Sequence, residues 1–168
     1  MHSYLERVQQ AVETAIDGMT TDELLRHPEG KWSAAEILEH LARAFGTTGT
    51  HLQKCLDAGR PSASVPTLKQ WLTSTVVVDL GYFPAGRKAP DFTRPKGLPP
   101  DEVVRGIREN LQAMDAVIAE CERRFGTRGK LANHPILGPL SVAQWRRFHW
   151  VHTRHHMKQI ALLKIRSQ

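Results

Sequence analysis

"KWSAAEILEHLARAF", residues 31–45, is the stretch that decides the fold class. Ser33 and Glu36 stand three apart in a capping-box pattern, so Ser33 is read as the N-cap of a helix. Leu38, Leu41, Phe45, Leu52 and Leu56 follow at helical spacing, and the stripe stops near Gly59 and Pro61. Such a helix is long and apolar along one side only, so that side must be covered by other elements. One polar residue, His40, sits beside Leu41 on the core-facing edge.

The same spacing recurs on both sides of this segment. Leu5, Val8, Val12, Ile16 and Met19 mark a first helix, and "TTDELLRHPEG" is a helical turn running into a loop. "PTLKQWLTSTVVVDLGYF" (66–83) predicts a shorter helix, with a strand as the alternative at the β-branched run Val76–Val78. The Pro- and Gly-rich "PAGRKAPDFTRPKGLPP" (84–100) predicts a long loop. A further helix opens near Pro100 and Asp101 and carries Val103, Ile107, Leu111, Met114, Ile118, Cys121 and Phe125. "GTRGKLANHPILGPL" (126–140) is read as a second loop. The last helix opens on Ser141 and Gln144, another capping-box pair, and runs to about Ile165. The expected architecture is all-α: a four-helix bundle with long connecting loops and one short extra helix, in a single domain over residues 1–168.

Composition narrows the functional classes. Apolar residues make up 40% of the 168 and charged residues 24%, as in ordinary soluble domains. No apolar run approaches the ~20 residues that span a bilayer, and the N-terminal stretch mixes charge into every turn, so the expectation is a cytoplasmic protein with no membrane partner. Cys55 and Cys121 are isolated and expected to be free thiols. The formal net charge is +6, concentrated in "ERRFGTRGK" and at Lys158, Lys164 and Arg166. These stretches fall at helix C-terminal ends, where cations offset the helix dipole. No nucleic-acid motif accompanies them, so no nucleic-acid partner is expected, and the charge could instead attract an anionic substrate.

"FHWVHTRHHMKQI" (148–160) holds four of the nine histidines. The inward stripe of the last helix runs through Trp145, Phe148 or His149, His152, His156, Gln159 or Ile160, and Leu163. An unpaired buried imidazole nitrogen costs roughly 1–3 kcal/mol. The stripe therefore calls for a polar network or a metal. His152 and His156 are four apart, about 5–6 Å on one helix face, and can converge on one ion. The third donor must come from elsewhere. His40 and His51 share a face but are separated by ~16 Å along the axis, so one ion cannot use both, and spacing alone does not choose.

"KWSAAEILEHL" resembles the DinB-like superfamily pattern of a Trp, a helix cap, and a His eight residues after the Trp followed by Leu. "HPILGPLSVAQWRRFHWVHTRHHMKQI" resembles the C-terminal signature of the same superfamily, and "FPAGRKAPDFTRP" its linker in some members. The resemblance runs from about Trp32 to Ile160. It implies a four-helix bundle with one divalent metal on His40, His152 and His156. Zn2+ or Ni2+ comes first, and Fe2+ or Mn2+ also suits the donors. It further implies a small-molecule substrate. The activities of the superfamily include metal-dependent transfer of a low-molecular-weight thiol, thiol-dependent isomerisation and hydrolysis. The leading reading is a metal-dependent transferase using a small thiol on an electrophilic substrate. A metal-dependent hydrolase and a non-catalytic metal or small-molecule binding module are the alternatives, and a homodimer is compatible with this type of bundle.

Other residues take supporting roles in this reading. His149 could be a base or proton shuttle near the metal, or a hydrogen-bonded partner at the bundle's edge, and the latter is expected. Gln159 could orient the free nitrogen of His156, and Glu36 that of His40. His155 is expected to point away from His156, and Arg154 to leave the ligand face. Arg87, Lys88 and His134 could line a mouth above the site or be solvated. Trp32, Trp71, Trp145 and Trp150 are read as packing anchors. No carboxylate is placed as an obvious general base, which favours thiolate transfer over hydrolysis.

Overall fold

Caps set the helix starts. His2 Nδ1 accepts from Tyr4 N–H and opens α1 (Ser3–Ile16), which buries Leu5, Val8 and Val12. Thr20 and Glu23 form a capping box for the short α2 (Thr21–Leu25). Ser33 and Glu36 do the same for α3 (Ala34–Asp57), with Ser33 N–H donating to Glu36 Oε2 at 2.7 Å. Thr67 and Gln70 open α4 (Leu68–Ser74). Pro100 stands in the first turn of α5 (Pro100–Phe125), where its missing N–H costs nothing. Gln144 and Ser141 exchange bonds at the start of α6 (Val142–Ile165). The computed structural model describes residues 1–84, 86 and 88–165.

The four long helices share one core. α3 packs mainly on α5, α1 on α6, and α6 also meets α3 and α5. Phe45, Leu38 and Leu52 from α3, Met114 and Ile118 from α5, Leu5 from α1 and Ile160 from α6 are fully enclosed. Burying each such side chain contributes roughly 1.5–3 kcal/mol. Among the described residues no helix is long and apolar enough to cross a membrane. Cys55 and Cys121 are buried free thiols, and burial raises Cys121 to about 11.

Three places decide the finer points of the sequence expectation. First, two short helices, α2 and α4, accompany the long ones rather than one. Second, the shorter helix expected over 66–83 is found and the strand alternative at Val76–Val78 is not: α4 continues into a π-helical segment, Thr75–Asp79, closed by Leu80 N–H to Thr75 O at 2.9 Å. Val77 and Val78 turn into the core, so burial of two valines overrides their extended preference. Third, "GTRGKLANHPILGPL" is not all loop. It holds an antiparallel hairpin, β1 (Lys130–His134) and β2 (Gly138–Ser141), with Ala132 opposite Leu140 and an irregularity between Lys130 and Ala132. The outer edge of β1 is covered, because Ser62 N–H donates to Leu131 O and Ser64 to Asn133 Oδ1. Gly138 has φ 73°, and a Cβ there would meet the Gln70 side chain at 2.8 Å, which keeps the hairpin against α4.

The long connection from residue 80 to 99 is tied down by one carboxylate. Glu39 is 1% exposed and accepts three backbone N–H bonds, from Lys96, Gly97 and Leu98, at 2.7, 2.9 and 3.1 Å. A single 3-10 turn, Asp91–Thr93, lies just upstream and carries the buried Thr93 to the side of α3.

Candidate metal centre

His40 sits two turns into α3. His152 and His156 sit one turn apart in the middle of α6. The packing of α6 on α3 brings the three rings together, each no more than 7% exposed. His152 Nε2 is 3.1 Å from His40 Nε2 and 3.0 Å from His156 Nε2. One donor atom from each of the three lies within 4.8 Å of the others, so the group could hold a metal ion. Metal–nitrogen bonds of about 2.0–2.1 Å set two imidazole donors roughly 2.9–3.4 Å apart, for angles between 90° and tetrahedral. The observed separations fall in that span.

Hydrogen-bond accounting points the same way. His40 Nδ1 is 2.9 Å from the carbonyl of Thr93, which only accepts, so the His40 proton sits on Nδ1 and Nε2 is a bare lone pair. His156 Nδ1 is 2.7 Å from Gln159 Oε1, whose amide nitrogen is occupied 3.3 Å from His155 Nε2. The His156 Nε2 is therefore also bare. His152 could offer one proton from Nε2 and satisfy only one of these two. Its Nδ1 is buried with no hydrogen-bond partner among the described residues. Converging buried lone pairs of this kind suit a cation, so the donor set could hold a divalent metal.

Electrostatics keep the ligating form. Burial lowers the pKa of His40, against an opposing bond to Thr93. Burial, then repulsion from His40, pushes His156 down to about 3, with Gln159 opposing. Burial, then His156 and His40, holds His152 well below the usual histidine range. All three are neutral near pH 7, which is the form that binds metals.

A cavity of about 1110 Å³ opens on these histidines. Its walls are largely aromatic and aliphatic. Trp32 lies 5.3 Å from His40 between ring centroids, and Phe83 and Phe148 both stack on His152 at 5.1 and 5.4 Å. Thr93 and Phe83 carry no signal in the sequence that would single them out. One acts through a backbone carbonyl and the other is an ordinary aromatic in a Pro-rich segment.

The remaining expected residues separate clearly. His149 is fully buried, not at an edge, and its Nε2 is 3.1 Å from Thr48 Oγ1. Glu36 is occupied by the cap on Ser33, so Thr93 takes the orienting position at His40. His155 does not point away: its ring lies 4.9 Å from Phe83 and 5.3 Å from His156, and it lines the cavity. Arg154 is exposed and its guanidinium donates to Gly81 O at 2.8 Å. His134 and Lys88 line the cavity, as does His51. His134 Nδ1 also accepts from Ile136 and Leu137 N–H and so closes the hairpin turn. Arg87 lies outside the described residues. Trp145 is buried, but Trp71 is 55% exposed and anchors no core.

No curated protein and no solved structure matches the chain significantly. The sequence pattern of the DinB superfamily matches residues 4–160, and with the buried histidine triad in place the chain belongs to that superfamily.

Proposed function

We propose that this protein is a single-domain four-helix bundle that holds one divalent metal on His40, His152 and His156. On this reading it transfers a small thiol to an electrophilic substrate in the cytoplasm. The observation that carries the reading is the set of three buried imidazoles whose Nε2 atoms converge without enough protons to pair them. When bound, a divalent ion supplies a Lewis acid able to lower the pKa of a thiol or of water. Zn2+ or Ni2+ suits neutral nitrogen donors best, with Fe2+ and Mn2+ also compatible.

The chain's own residues do the rest. Thr93 O fixes the ring of His40 through Nδ1, and Gln159 fixes that of His156. Trp32, Phe83 and Phe148 pack against the triad rings and give the cavity beside them an apolar wall. None of the described residues lining the cavity is Asp or Glu. Hydrolysis needs a base for the protons of water, and no carboxylate is there to serve. A thiol, with a pKa of about 8.5 against about 15.7 for water, needs far less proton management. This difference favours transfer over the metal-dependent hydrolase. In the transfer the thiol proton leaves to solvent, a carbon–sulfur bond forms, and the leaving group departs with its electron pair.

Metal content decides the ligand assignment. Purified wild type is expected to carry about one divalent ion per chain after reloading, and His152→Ala less than a tenth of that. Stoichiometric metal retained in the variant would sink the assignment. Thiol consumption with a chloro-dinitroaryl electrophile should then depend on the metal. Product release with water alone would favour the hydrolase. Tight metal without turnover across a thiol panel would favour a binding module.

A further inference from the structure

The cavity has two chemically distinct zones. Its walls carry Trp32, Phe83, Phe92, Ile136, Phe148 and Leu162. Its exposed lining residues include Lys31, Lys88, Lys158 and Arg94, contributed by the segment before α3, the 80–99 connection and α6. Arg94 is paired with Asp91 at 3.1 Å. The three lysines have no ion pair among the described residues, and no described lining residue is acidic.

From this arrangement we propose that the second ligand of the cavity is an amphipathic organic anion. It has an aromatic or alkyl body seated on the apolar walls and a carboxylate or sulfonate group held by Lys31, Lys88 and Lys158. The inference rests on the reading that the triad-lined cavity is the reaction chamber, and it names the class of electrophile that enters. A small inorganic anion would leave the apolar walls unused. A neutral hydrophobe would leave the three exposed lysines of the lining without an ion-pair partner. Ligand sites commonly measure about 300–1,000 Å³, so a cavity of about 1110 Å³ admits a ring-bodied molecule beside a small thiol. Low-dielectric walls focus the field of rim charges into the opening, which attracts anions and makes their binding sensitive to salt.

The test uses the full chain and two fluorescent probes of the same body, anilinonaphthalene sulfonate and uncharged phenyl-naphthylamine. At low salt the sulfonate is expected to bind about ten-fold tighter than the uncharged probe, and the advantage should shrink as salt is raised. Combined Lys31→Gln, Lys88→Gln and Lys158→Gln should abolish the advantage and leave the uncharged probe within about two-fold of wild type. Millimolar inorganic phosphate should displace neither probe. Equal affinities in wild type would overturn the proposal. So would an advantage that survives the triple substitution, because the sulfonate would then be sitting elsewhere, for instance on the exposed side of α4. Metal content is measured in parallel: its loss with the sulfonate preference intact removes the metal reading alone, and the reverse result removes this inference alone.

Discussion

Gln159 is exposed, yet its carboxamide joins two imidazoles, accepting at 2.7 Å from His156 and reaching His155 at 3.3 Å. The first bond fixes which nitrogen of His156 carries its proton and leaves the other for a metal. Gln159→Leu keeps the size and removes the acceptor. Metal affinity should fall about 10–100-fold, as measured by competition with a chelator. Unfolding in urea should change by less than about 0.5 kcal/mol, because the side chain packs against no core. Unchanged affinity would show that His156 is oriented by its neighbours alone. The spacing of His152 and His156 was visible in the sequence as a shared helix face. The distant partner His40 was not fixed by spacing, because His51 lies on the same face. Only the family resemblance separated the two, since periodicity specifies a direction from the helix axis and not a level along it. His155 shows the opposite limit. The step of one residue along α6 predicts that it points away from His156, but Phe83 arrives from the 80–99 connection and both rings line the same cavity.

Element boundaries are legible at two capped helix starts. Ser33 and Ser141 each exchange bonds with a residue three further on, and local chemistry of that kind is written in the sequence. The hairpin was not legible. Its strands span five and four residues, Pro135 and Pro139 fall in the turn and in β2, and its pairing depends on edge contacts from Ser62 and Ser64 some seventy residues away. The prolines and glycines of 84–100 mark a loop in the sequence, but its anchor carries no signal, because Glu39 reads as one more charge on α3. Its carboxylate holds three successive N–H groups, and through the same segment it positions the Thr93 carbonyl that orients His40. Glu39→Ala should cost about 3 kcal/mol in urea unfolding, since hydrogen bonds to a charged acceptor are lost and buried donors are stranded. It should also weaken metal binding in folded protein well above the unfolding transition, whereas Glu39→Gln should restore part of both. Full metal affinity in folded Glu39→Ala would show that Thr93 holds its place without the tie.

At the scale of the molecule, the price of a histidine-rich core is paid in acid. His149 is fully enclosed, with only Thr48 as a partner for its Nε2, and burial pushes it down to about 3, with His134 adding to the effect. His134 is itself lowered to about 4 by burial and by His51. In the unfolded chain a histidine titrates near 6.5. The folded protein therefore binds fewer protons than the unfolded chain between those values. The stability associated with neutral His149 is fully present above about pH 6.5 and is lost as pH falls towards 3. One displaced proton corresponds to a slope of about 1.4 kcal/mol per pH unit. Metal-free wild type should thus lose stability steadily from about pH 6 to about pH 4.5, read from urea midpoints at a series of pH values. His149→Phe removes one proton from the balance while keeping an aromatic ring against Phe45 and Trp145. Its stability at pH 7 reflects the lost bond to Thr48, but its slope below pH 6 should be shallower than that of wild type by about 1.4 kcal/mol per unit. Parallel slopes would mean that His149 takes up its proton in the folded state at an ordinary pH. The enclosed, neutral imidazole beside the metal triad would then be wrong, however well the variant folds.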